Sequence, residues 1–120
     1  PEDDTAREAG FAQFIEFVNA YSGDDRAIIF AGDTNLHRSD PEDGPLIELV
    51  MESLGFLDAA QELEGTQESI DRFFYRSDSR VTLEPTSWRF GDEFIDSGGQ
   101  DLSDHWAVHV GFRWERVSAE

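Results

Sequence analysis

Cysteine is absent from the 120 residues, which removes disulfides, thiolate metal ligands and a cysteine nucleophile. Lysine is absent too: all 9 basic side chains are arginine, against 27 acidic ones, for a formal charge of -18. Such a surface repels nucleic acid at low salt, because phosphate binding works by replacing counterions with Lys and Arg. In strong brine the objection fades, since the screening length falls to about 3 Å at 1 M salt. The acid excess therefore fits a salt-adapted protein as well as an ordinary acidic one. No apolar run approaches the roughly 20 residues of a bilayer span. Pro1-Glu2-Asp3-Asp4 lacks the composition of a signal peptide, so secretion stays open. What is present suffices for one domain over residues 1–120, with 38% of residues hydrophobic and 12% aromatic.

The most informative stretch is Ala27-Ile28-Ile29-Phe30-Ala31-Gly32-Asp33-Thr34-Asn35. The apolar triplet Ile28-Ile29-Phe30 suits a strand buried on both faces, over about 27 to 31. Gly32 is expected to free the backbone for a turn. Asp33 and Asn35 would then stand at the carboxyl end of a strand, where open α/β sheets place ligands. A carboxylate there can take a proton or orient a water, and a carboxamide two residues on can donate to an anionic oxygen. The same residues would also make a plain Asx-turn.

Ahead of that strand, Thr5-Ala6-Arg7-Glu8 reads as a capping box. Phe11, Phe14, Ile15, Val18 and Tyr21 follow at helical spacing, and Ser22-Gly23-Asp24-Asp25 ends the helix. A loop with His37 leads to a second helix opened by Pro45 and stopped at Gly55, its apolar face formed by Leu46, Ile47, Val50, Met51 and Leu54. His37 reads as solvated. Phe56 to Ala60 is ambiguous, and 62–68 reads as a polar loop. Ser69 to Tyr75 reads as an aromatic-rich strand. Val81, Leu83, Trp88 and Phe90 mark one long strand or a bent pair, with Pro85 at the break or on an edge. Residues 91–100 form a loop. Trp106, Val108, Val110, Phe112 and Trp114 then share one face of a last strand, with His109 and Arg113 opposite as structural residues.

Asp71 lies inside a strand, where an unpaired carboxylate is costly, so it requires a partner. Arg72 points to the other face. His105, at the start of the last strand, is the best candidate. Paired with Asp71 it would have a fixed tautomer and favour the imidazolium form. A cation beside Asp33 and Asn35 suits an anion whose charge grows during reaction, as in water attack on a phosphoester. A Ser-His-Asp hydrolase is disfavoured, because Ser103 lacks the glycine pattern of a nucleophile elbow.

Gly-Asp-Thr-Asn at 32–35, Ile-Asp-Arg-Phe-Phe at 70–74 and Ser-Asp-His at 103–105 resemble, in order and spacing, the C-terminal motifs of the endonuclease/exonuclease/phosphatase superfamily. That group includes pancreatic-type deoxyribonucleases, abasic-site endonucleases, bacterial sphingomyelinases and inositol-polyphosphate phosphatases. The resemblance runs from residue 5 to 114. It implies an α/β fold: half of a four-layered α/β sandwich, with one mixed, mostly antiparallel sheet and helices on one face. It implies that Asp33 orients or deprotonates the attacking water and that Asn35 hydrogen-bonds the phosphate. His105 would bind the phosphate, with Asp71 on its other nitrogen, and Asp104 would help hold a divalent cation. Mg²⁺ is the expected cation, with Mn²⁺ or Ca²⁺ as alternatives, and oxygen-rich ligands suit all three.

The main metal-binding Glu and an Asn of the family cannot be assigned here; they are expected in an N-terminal half outside this chain. Alone, the chain is therefore expected to bind Mg²⁺ poorly and turn over little. One apolar sheet face would stand open, calling for the N-terminal half of the domain or a homodimer partner across it. The phosphodiester substrate is left open among nucleic acid, sphingolipid and inositol phosphate. The alternative from a different class is a non-catalytic fragment or interaction module that keeps the half-fold.

Overall fold

A computed structural model describes residues 2–22, 26–91 and 93–117, with side chains from Thr5 onward. The helix stop expected at 22–25 falls partly outside these residues. The elements in order are α1 (Glu2–Ser22), β1 (Ile28–Asp33), α2 (Asp43–Leu54), β2 (Leu57–Asp58), α3 (Ala59–Glu64), β3 (Asp71–Arg76), β4 (Val81–Gly91) and β5 (Ala107–Arg116).

The expected single mixed sheet is instead two sheets, antiparallel throughout the described residues: β1-β3-β2 and β4-β5. The reason lies in β3. Both of its edges are taken, by β1 and β2, and β4 and β5 pair with each other rather than adding to β1 or β2. They meet the first sheet face to face. Phe112 of β5 packs on Phe73 and Tyr75 of β3, at ring-centroid distances of 6.5 and 5.5 Å. Helices α1 and α2 cover the other face. Phe11, Phe14, Ile15 and Val18 pack with Val50 and Leu54 onto Phe56 and Phe74. Phe74 is only 2% exposed and stacks between Phe30 and Phe56.

Several local expectations change. α1 begins at Glu2, so Thr5 lies within the helix rather than at a cap; acidic residues in the extra turn suit the positive helix end. Tyr21 is exposed and rests on Phe17 instead of joining the core. β1 is an edge strand covered by helices on one side only, so burial alternates and Ile29 is 46% exposed. Gly32 lies inside β1, where a Cβ would come within 3.2 Å of the Phe30 ring. The left-handed residue of the following loop is Asn35, at φ 51°. Gly55 does end α2 in the left-handed conformation. The ambiguous 56–60 region contains β2 and the start of α3, whose cap is Asp58: its side chain accepts from the Ala60 and Gln61 N–H groups.

β4 is one long strand with a register shift between Pro85 and Ser87. A one-residue bulge switches parity. Leu83, Pro85, Trp88 and Phe90 therefore share a face with Phe112 and Trp114. The opposite face carries the Glu84–Arg113 ion pair, and His109 there lies 2.9 Å from Glu93.

Cover is incomplete at the end of the sheets away from residues 33 and 71. An open cleft of about 840 Å³ lies there between Ile29 and Trp114, which is 64% exposed. On the helix side Phe74 is buried among Phe30, Phe56, Val50 and Leu54, with a cleft of about 320 Å³ opening beside it along Phe11 and Phe14. Phe74→Ala is therefore expected to cost about 3–5 kcal/mol of unfolding free energy, measured by urea denaturation. A loss below 1 kcal/mol would contradict this account of the core.

Candidate active site

Alternation along two paired strands builds the site. β1 and β3 pair Ile29 with Tyr75, Ala31 with Phe73 and Asp33 with Asp71, so all six share the face turned toward β5. The last pair puts two carboxylates opposite each other, an arrangement that repels unless a cation intervenes. His105 intervenes. Its Nδ1 lies 2.7 Å from Asp71 Oδ2, and its Nε2 lies 3.9 Å from Asp33 Oδ2. The backbone N–H of His105 donates to Ser103 Oγ at 3.1 Å, which fixes the loop just before β5.

The Asp71 hydrogen bond is the main cause that raises the His105 pKa above the ordinary 6.5. The Asp71 charge adds to it, desolvation opposes it, and Asp104 and Asp33 contribute further in the raising direction. With Nδ1–H committed to Asp71, the imidazolium presents Nε2–H toward Asp33. An oxygen about 2.8 Å from both Nε2 and Asp33 Oδ2 fits that gap, within ordinary hydrogen-bond lengths.

Asp33 is half held. Its Oδ1 accepts from the Asn35 N–H at 2.8 Å, leaving Oδ2 free to face His105. Asn35 is exposed, and its carboxamide makes no hydrogen bond among the described residues. The Asn35 backbone carbonyl accepts from Arg7 Nη2 at 3.0 Å, and Arg7 also pairs with Asp43 at 2.8 Å. Asp104 is exposed and stands outside the tight group. Ligand atoms of Asp33, Asp71 and His105 all lie within 4.8 Å of one another. The His37 side chain is exposed on its loop.

As a donor set the group fits a hard divalent cation through its carboxylate oxygens. Of the two His105 nitrogens only Nε2 is left for a ligand, because Nδ1 is engaged by Asp71. Beside His105 runs a cleft of about 320 Å³, lined by Asp71, Phe94, Asp101, Ser103 and Trp106, roomy enough for part of a small ligand.

The residues that sequence reasoning passed over are Arg7, Thr34 and Arg72, which act through the backbone of the 33–36 loop. The readable signal was Asp58-Ala59-Ala60-Gln61, an N-cap pattern that marks Asp58 as the start of α3; its burial and its pairing with Arg72 come from the fold.

This chain is similar to mycobacterial sphingomyelinases. It is 32% identical over 124 aligned positions to a sphingomyelinase of Mycobacterium bovis and to sphingomyelinases of two strains of Mycobacterium tuberculosis. The match takes in 88% of this chain but 24% of each relative, so the chain spans about a quarter of the length of the curated relatives it matches. No protein-family model matches the sequence.

The imidazole pairing has a pH signature. A raised folded-state pKa contributes stability that is complete below the unfolded value near 6.5 and is lost as pH rises through the folded value. NMR titration is expected to find His105 above 6.5, and Asp71→Asn is expected to bring it down. The unfolding midpoint should fall with rising pH in that window and flatten in Asp71→Asn. A His105 pKa at or below 6.5 in the parent chain would contradict the pairing.

Proposed function

We propose that the chain carries the water-activating and phosphate-binding part of a divalent-metal-dependent phosphodiesterase of the endonuclease/exonuclease/phosphatase superfamily. The observation that carries this reading is His105 set between Asp71 and Asp33. In this reading Asp33 Oδ2 orients a water and receives its proton. The imidazolium Nε2–H of His105 donates to a non-bridging phosphoryl oxygen as charge builds there, and Asp71 keeps the ring charged and aligned. The exposed Asn35 carboxamide donates to a second phosphoryl oxygen. Asp104 would help hold Mg²⁺, or Mn²⁺ or Ca²⁺ in its place, with the main metal-binding Glu supplied from outside this chain. When bound, the cation supplies charge neutralisation at the phosphate.

Sphingomyelin is the first substrate to test, on the likeness to the mycobacterial enzymes. The charge of -18 supports that order: it repels a polyanion such as DNA at low salt and leaves a zwitterionic headgroup unaffected. Nucleic acid and inositol phosphates follow. The uncovered cleft between Ile29 and Trp114 supports a further layer supplied by an N-terminal half of the same domain or by a second copy of the chain. The small donor set supports a second reading, a half-fold that acts alone only as an interaction module.

Hydrolysis of sphingomyelin micelles, plasmid DNA and inositol phosphates, with Mg²⁺ and an N-terminal half supplied separately, tests the proposal. Metal-dependent cleavage is expected, lost on chelation and reduced by about 100-fold or more in His105→Ala. Cleavage undiminished in His105→Ala would remove His105 from the mechanism. No cleavage under any condition would favour the interaction module.

A further inference from the structure

Arg72 follows Asp71 in β3, so its side chain points to the opposite face of the sheet. There it is 2% exposed. Its Nη1 pairs with Asp58 Oδ2 at 3.2 Å, where both side chains are 1% exposed. Burial pushes the guanidinium pKa down and Asp58 opposes that shift. The rest of the fork reaches the loop after β1. Nε donates to Thr34 Oγ1 at 3.2 Å, and Nη2 donates to the Leu36 carbonyl at 2.9 Å. One planar group thus grips the residues on either side of Asn35.

Those anchors are reinforced. Thr34 Oγ1 donates to the Ile70 carbonyl at 3.0 Å, the Thr34 N–H donates to the same carbonyl at 2.8 Å, and Thr34 and Leu36 are both buried. Asn35 between them is exposed and left-handed, a conformation asparagine adopts more readily than most residues with a side chain, though less readily than glycine. In that conformation its N–H reaches Asp33 Oδ1.

We infer that Arg72 is a positioning residue: by fixing Thr34 and Leu36 it holds Asn35 left-handed, and the Asn35 N–H in turn fixes Asp33 with Oδ2 facing His105. One dipeptide, Asp71-Arg72, therefore sets both partners of the site, orienting His105 above the sheet and Asp33 through the loop below. The inference rests on the phosphodiesterase reading only for what Asp33 is positioned to do.

Removing Arg72 alone would strand a buried carboxylate, so the test pairs Arg72→Met with Asp58→Asn. This removes both charges together and keeps an α3 cap. A second pair is Thr34→Val, which lacks the hydroxyl, and Thr34→Ser, which keeps it. The readouts are Asn35 amide exchange and ¹⁵N order parameter, with His105 titration alongside. In the double variant and in Thr34→Val, Asn35 exchange is expected to rise about tenfold, the equivalent of one net hydrogen bond, and its order parameter to drop. Thr34→Ser should behave as the parent chain. His105 should keep its raised titration throughout, because Asp71 is untouched. Parent-like Asn35 in Thr34→Val or in a folded double variant would overturn the inference. Loss of the raised His105 titration would also overturn it, since Arg72 would then brace β3 itself. If the double variant fails to fold, the Thr34 pair decides alone. A chain that cleaves no phosphodiester yet loosens at Asn35 would sink the proposed function and leave the positioning role standing.

Discussion

Two carboxylates facing each other across a pair of strands repel, and the site exists because one imidazole is placed to offset that repulsion. Asp33 and Asp71 are registered partners at the ends of β1 and β3. His105 is bonded to one and faces the other across 3.9 Å. The same geometry raises the imidazole pKa and leaves a gap of the size an oxygen fills. Electrostatic compensation in the folded chain and an imidazole nitrogen turned toward Asp33 thus come from one arrangement.

That arrangement is carried by the two faces of β3. On one face Phe73 and Tyr75 receive Phe112, which seats the β4-β5 pair and with it the start of β5 where His105 stands. On the other face Phe74 enters the helix-side core and Arg72 ties Asp58 to the Thr34–Leu36 segment. Alternation assigns the residues from 71 to 75 to these two tasks in turn. A slip of one residue would exchange them, turning Asp71 into the core and Arg72 toward His105.

Much of this was legible in the chain because its signals are local. Helical spacing in α1 and α2, the glycine stop at 55 and the alternation of β5 are properties of short windows. So was the argument that Asp71 needs a partner from elsewhere, which the His105 contact supplies. The split into two sheets was not legible. It depends on both edges of β3 being occupied, and one occupant, β2, is two residues long. The Arg72 network was hidden for a similar reason. A buried arginine reads as a surface residue until its acceptors are known, and those come from positions 34, 36 and 58. Asn35 shows the two kinds of signal side by side: the Asp33 Oδ1 to Asn35 N–H bond is the Asx-turn that the local residue types allow, whereas the bonds on Thr34 and Leu36 come from Ile70 and Arg72, far along the chain.

The distribution of cover along the sheets completes the picture. At one end the space between β1 and β5 is a cleft bounded by Ile29 and Trp114 that none of the described residues covers. At the other end Asp33, Asp71 and His105 stand at a rim that water reaches. Between them the aromatic contact of Phe112 with Phe73 and Tyr75 joins the sheets. The hairpin is also seated along α3, which packs against β4, and at the charged rim, where His105 is bonded to Asp71. The site is therefore built where the second sheet is tied to the first by a hydrogen bond as well as by aromatic packing, and the apolar end is where the described residues leave the two sheets apart.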